Sequence, residues 1–132
     1  MGSELMTTNQ NTAVSIIQHT DLGDIIKPLI REIHLFDTYI AGTTHLKDKT
    51  VLEDVKVDDR LFLQREDNEY DKNAILVLNA EKKKLGYVPE KDNIVFSRLM
   101  DAGKKLTAKI KEIKPKSEQF TVITIGIYLI DI

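Results

Sequence analysis

The densest chemistry in this sequence lies in one polar stretch, Glu66-Asp67-Asn68-Glu69-Tyr70-Asp71-Lys72-Asn73, which carries four carboxylates, two amides and a lone aromatic ring with no glycine. Oxygen-bearing side chains at every second position, Asp67-x-Glu69-x-Asp71-x-Asn73, superficially resemble a calcium loop. Such a loop needs a glycine at its sixth position and a bidentate acid at its twelfth. Lys72 and Leu78 stand there, so no calcium site is expected. The three histidines, His19, His34 and His45, fall in separate segments with no partner at ligand spacing, which argues against zinc. With no cysteine, thiol nucleophiles, disulfides and Cys-ligated metals are impossible. There is no glycine-rich phosphate loop, no Gly-x-Ser-x-Gly elbow and no acid pair in an apolar setting. The chain is expected to bind rather than to catalyse, and to need no cofactor.

The 132 residues suffice for one domain, and 42% hydrophobic with 30% charged residues can close a core. No apolar run is long enough to span a membrane, and the first residues lack a basic start and an apolar segment, so the expected location is cytoplasmic. Met6 would serve equally well as a start. The net charge of −2 argues against a generic polyanion binder, yet it hides a dipolar distribution. Nine acids face four bases between Asp48 and Asp71, and six lysines face Glu112 between Gly103 and Lys116.

The elements that must position the polar stretch are read from periodicity. Ile26, Leu29, Ile30 and Ile33 follow helical spacing, predicting a short amphipathic helix that ends an N-terminal arm over residues 1–30. The domain proper is expected over 31–132. Leu35 to Ala41 reads as extended, Val51 to Val55 as a short helical segment, and Arg60 to Arg65 and Ala74 to Leu78 as strands joined by the polar stretch. Leu85 to Val88 forms a hairpin strand stopped by Pro89, with Gly86 allowing a tight backbone approach. A helix capped by Asp92 or Asn93 carries Val95, Phe96 and Leu99 inward and stops near Gly103. Lys105 to Ile113 alternates, with Leu106, Ala108 and Ile110 inward and Lys105, Thr107, Lys109 and Lys111 toward water or a ligand. Phe120 to Ile130 is apolar on both faces, so it is central in the sheet or covered by another subunit. The sum is an α+β fold on a small antiparallel β-barrel of about six strands with roughly two or three short helices.

Several segments together are similar to a known family. Ala41-Gly42-Thr43, Val57-Asp58-Asp59, Leu61-x-Leu63-Gln64-Arg65-Glu66, Asn68-x-Tyr70-Asp71-Lys72-Asn73-Ala74-Ile75-x-Val77 and Leu85-Gly86-Tyr87-Val88-Pro89 resemble the HIRAN domain, over roughly Ile33 to Ile113. That domain occurs at the amino end of helicases acting at stalled replication forks and as a stand-alone bacterial protein. On this extent the last strand is an addition of this chain.

The resemblance implies an OB-like or SH3-like barrel and a single-stranded DNA partner held by its 3′-hydroxyl end, in a repair or replication-fork setting. It places Asn68, Tyr70 and Asp71 at the pocket. Tyr70 would stack on the terminal base, and Asp71 would accept from the terminal hydroxyl. A carboxylate repels an internal phosphate but accepts a hydrogen bond from a free hydroxyl. Arg65 and Tyr87 join the expected nucleic-acid-binding set, with Lys109 and Lys111 on the lysine strand and Thr44 and His45 where helicase members carry Arg-Tyr. Pro89 and Glu90 stand where those members carry basic residues. An architectural role competes at the same residues: Asp71 capping backbone N–H groups, Tyr70 covering the barrel end, Arg65 pairing with Asp67 or Asp71. An alternative function is a protein-interaction or self-association module, a homo-oligomer using the terminal strand or the N-terminal helix.

Overall fold

The computed structural model describes residues 30–117 and 120–131, and the compact unit Glu32–Ile130 contains the features that follow. The expected N-terminal arm and the first turn of its helix lie outside the described residues. That helix does not continue to Ile33, because Arg31–Tyr39 is strand β1, placed beside the last strand in the sheet. Helical spacing of a few apolar residues yields here to hydrogen bonding with a neighbouring strand, since strand formation depends on tertiary context.

Two short 3-10 turns follow, Thr43–His45 and Lys49–Leu52. Strands β2 (Arg60–Arg65), β3 (Ile75–Leu78) and β4 (Lys84–Tyr87) precede helix α1 (Glu90–Asp101), and β5 (Leu106–Ser117) and β6 (Phe120–Asp131) complete the fold. The sheet order is β1-β6-β5-β2-β3-β4. The pairs β2–β3, β2–β5, β3–β4 and β5–β6 are antiparallel.

The six strands agree with the sequence reading, but the sheet is not closed into a barrel. Its edge strands β1 and β4 approach through one isolated bridge, Ala41↔Tyr87. Immediately after it Gly42, at φ 75, turns the chain into the first 3-10 turn, and Pro89 has no N–H with which to extend the ladder beyond β4. Among the described residues there is one α-helix rather than two or three.

Strand β6 lies inside the sheet between β1 and β5. Ile123, Ile125 and Ile127 on its inner face are buried with Leu61, Ile75, Val77, Leu85 and Ile110, each contributing about 1.5–3 kcal/mol through removal from water. On β5, Leu106, Ala108 and Ile110 point into this core as expected, until a bulge between Ile110 and Glu112 breaks the alternation. Thr107 is not on a wet face. It is buried, donating its hydroxyl to Leu61 O at 2.9 Å, in register between Phe62 and Tyr128.

Helix α1 starts at Glu90 after Pro89, earlier than the Asp92 or Asn93 cap read from sequence, and Asp92 N donates to Pro89 O at 2.9 Å. It stops where expected, with Gly103 at φ 92 donating to Met100 O. Phe96 and Leu99 pack on the core, but Val95 is 60% exposed rather than inward. The buried stripe is instead polar: Asn93 and Ser97, one turn apart, are 2% and 0% exposed.

Candidate functional site

The connection from β2 to β3 makes its turns without glycine because side chains take over the work of backbone bonds. Asn68 Oδ1 accepts from the N–H groups of Tyr70 and Asp71 at 3.0 and 2.7 Å. Asp71 Oδ1 accepts from Asn73 N at 2.9 Å, the local capping for which Asn and Asp are favoured in turns. Glu66 N donates to Ala74 O at 3.0 Å and closes the loop at its base.

Arg65 fixes the loop from below. Its guanidinium donates to Ala74 O at 2.6 Å and Lys72 O at 2.9 Å, and grips the Asp101 carboxylate through Nε and a terminal nitrogen at 2.9 and 3.2 Å. The ion-pair partner is therefore Asp101, at the end of α1, and not Asp67 or Asp71. Asp101 is held below the ordinary carboxylate range by that hydrogen bond. The polar stripe of α1 closes the loop from the side: Asn93 Nδ2 donates to Asp71 Oδ2 at 2.8 Å, and Ser97 Oγ lies 3.3 Å from Asn73 Oδ1. Buried polar groups need such partners, which is why α1 turns Asn93 and Ser97 inward and Val95 outward.

Against this bound framework Tyr70 stands out. Its side chain is 90% exposed. The ring borders a cleft of about 350 Å³ together with Gly42, Asn68, Asp71, Tyr87 and Glu90. Tyr87 reaches the cleft through the Ala41 bridge, which exists only because residue 86 is glycine: a Cβ there would lie 2.3 Å from Ala41 O. Glu66 ties the cleft walls together, accepting from Asn68 Nδ2 at 2.7 Å and from the Tyr87 hydroxyl at 2.8 Å, bonds that hold its carboxyl below the usual range. Lys84 Nζ donates to the same hydroxyl at 3.1 Å. Each Asp71 oxygen has one donor and so retains acceptor capacity.

The structure thus gathers Asn68, Tyr70, Asp71 and Tyr87 at one cleft, with Arg65 beneath them. The other expected residues lie elsewhere. Thr44 lines a separate hollow beside Tyr39 and Phe120, and His45 lines another with Lys47, Lys83 and Lys84. Lys109 faces Arg60 across the sheet, at the opposite end of β2 from Arg65, about 17 Å away along the strand. There Glu32 holds Arg60 and, at 3.1 Å, Lys109. Lys109 and Lys111 lie 5.1 and 5.9 Å from the Tyr128 ring centre.

Glu66, Asn93 and Asp101 support the site and were not singled out from sequence. Glu66 directly follows Arg65 and was legible as part of the motif, whereas Asn93 reads as a cap and Asp101 has no local signal tying it to Arg65. Among the described residues no group of three His, Asp or Glu side chains forms a metal site, and no helix is long and apolar enough to cross a membrane.

The HIRAN domain matches residues 33–128. The chain belongs to the HIRAN domain family. The match runs into β6, so the last strand is part of the HIRAN domain and not an addition to it. A crystal structure of a protein from Lactobacillus plantarum is similar at 26% identity and a TM-score of 0.71, covering 78% of this chain and 99% of that one. The crystal structure of the HIRAN domain of human HLTF shares the fold at 19% identity and a TM-score of 0.61, over 77% of this chain and 79% of that one. The NMR structure of the HLTF HIRAN domain in its DNA-bound conformation does so at 18% identity and a TM-score of 0.52, over 76% and 79%. Comparison with curated proteins finds no match.

Proposed function

We propose that this HIRAN domain is a non-catalytic binding module for single-stranded nucleic acid that recognises the 3′-hydroxyl end of DNA. The observation that carries the reading is Tyr70, a ring 90% exposed on a loop whose Asn68, Asp71 and Arg65 neighbours are all tied down. A ring presented by a fixed loop loses little freedom when a base stacks on it. Asp71, beside it, accepts the terminal hydroxyl with its remaining lone pairs, and Asn68 and Tyr87 form the walls. Glu66, Asp71 and Glu90 make the cleft acidic, which disfavours an internal phosphate and so favours an end. The DNA-bound conformation recorded for the HLTF HIRAN domain supports the reading. Arg65 acts as a positioning residue, its donors being engaged with the loop and α1.

Titration of fluorescent single strands ending in 3′-hydroxyl or 3′-phosphate tests it. The hydroxyl-ended strand binds more tightly, and Tyr70→Ala weakens it by about 1–3 kcal/mol with no change in melting temperature. Equal affinity for the two ends, or a Tyr70→Ala protein that binds like the parent, overturns the reading. A second reading, a protein-contact or self-association module, draws on the exposed Phe36, Ile94 and Val95 around α1. Light scattering over a range of concentrations, without nucleic acid, decides whether that patch joins two copies.

A further inference from the structure

An acidic cleft that takes the end of a strand supplies nothing for the phosphates that lead into it. A second hollow of about 450 Å³ is lined by His45, Lys47, Asp48, Val51, Lys83 and Lys84. The two abut, since Lys84 lines the second hollow while its ammonium group donates to the Tyr87 hydroxyl at 3.1 Å and lies 4.5 Å from that ring's centre. We propose that this basic hollow holds the phosphodiester backbone of the same single strand, on the 5′ side of its bound end. The proposal rests on the end-binding reading.

Two segments distant in sequence bring the charge together. Lys47 comes from the stretch between the two 3-10 turns, Lys83 from the turn entering β4, and Lys84 from the first position of β4. That turn is built: Asn79 Oδ1 accepts from the N–H groups of Glu81 and Lys83, both at 2.9 Å, and Lys82 takes a left-handed φ of 67°. Lys82 is directed away, 4.2 Å from the Phe62 ring centre, whereas Lys83 and Lys84 face the hollow.

Asp48 is the acid among the lining residues. Its carboxylate accepts from the Thr50 N–H and hydroxyl, bonds that hold it below its ordinary range with Lys83 adding to the effect. Three lysines against one acid leave a cationic rim over the buried Leu46 and Val51. An apolar floor with a cationic rim fits a sugar–phosphate chain. The lysines on β5 differ, because Lys109 already has Glu32 as its counter-ion.

The double variant Lys47→Gln/Lys83→Gln leaves the Lys84–Tyr87 bond in place, and both side chains are exposed. Its affinity for a 3′-hydroxyl eight-nucleotide strand, measured across salt concentrations beside the parent, should show a log Kd against log salt slope reduced by about 1.4, at about 0.7 per lost phosphate contact. Binding at 0.15 M salt should be about tenfold weaker, with the preference for hydroxyl over phosphate ends and the melting temperature unchanged. An unchanged slope with end preference intact overturns the phosphate site and leaves the end-binding reading standing. A reduced slope in a protein whose parent shows no end preference supports the phosphate site and overturns the end-binding reading.

Discussion

The loop between β2 and β3 and the outer face of β5 both concentrate polar residues, and they use them in opposite ways. On the sheet the charges neutralise one another: Glu32 holds Arg60 and Lys109, and Lys111 leans on Tyr128. In the loop Asn68 and Asp71 bind backbone and helix, and what they hold out to solvent is an aromatic ring, Tyr70. The count of lysines in a segment therefore says less about its capacity to bind a polyanion than the partners those lysines already have.

The largest effect that would sharpen this contrast is expected at Arg65. Arg65→Ala removes the grip on Asp101 and two loop carbonyls together and should lower stability by about 2–4 kcal/mol, seen as a reduced denaturant midpoint. If binding of hydroxyl-ended strands falls further than the loss of folded protein accounts for, the loop is positioned by Arg65 as described. A proportionate loss would make Arg65 a stability residue alone.

A smaller effect is expected at Glu32, whose carboxyl is lowered from an ordinary 4.5 to about 2, chiefly by Arg60. A depressed folded-state value means that this contribution is complete above pH 4.5 and disappears as pH falls from there toward about 2. Glu32→Gln should cost about 1 kcal/mol at neutral pH, in line with partly exposed ion pairs, and should flatten the acid limb of a stability-against-pH curve. An acid limb identical to the parent's would show that the Glu32 cluster does not hold the sheet face together.

The smallest effect is expected for Lys109→Gln/Lys111→Gln. With Lys109 already paired, the salt dependence of strand binding should not move. A fall of about 0.7 per lysine would transfer the phosphate track to the sheet and break the comparison.

Strand positions were largely legible because alternation of Leu, Ile and Val with polar residues reports directly on a half-buried sheet, as at Leu106, Ala108 and Ile110. The site loop was legible as a cluster, since Asn68, Tyr70 and Asp71 are neighbours in sequence. Barrel closure was not, because it depends on whether the chain beyond β1 pairs with β4 at more than a single bridge, a matter of edge geometry with no compositional trace. Nor was the direction of α1. Val95 looks like a core residue by hydrophobicity, but burying Asn93 and Ser97 satisfies Asp71 and Asn73, partners more than twenty positions away. The same distance hid Asp101 as the partner of Arg65.

The polar stripe of α1 also bears on how this protein tolerates change. Replacing both partners of a buried hydrogen bond by well-packed apolar groups is often neutral or stabilising, whereas replacing one of them strands the other. At Asn93 and Ser97 an apolar replacement would remove only one partner of each bond, leaving Asp71 and Asn73 without their helix donors and releasing the loop that carries Tyr70. Selection for a durable fold and selection for recognition therefore act in the same direction at these two positions, and a copy of the domain that drifted away from either side chain would lose the seat of its helix and its working loop together.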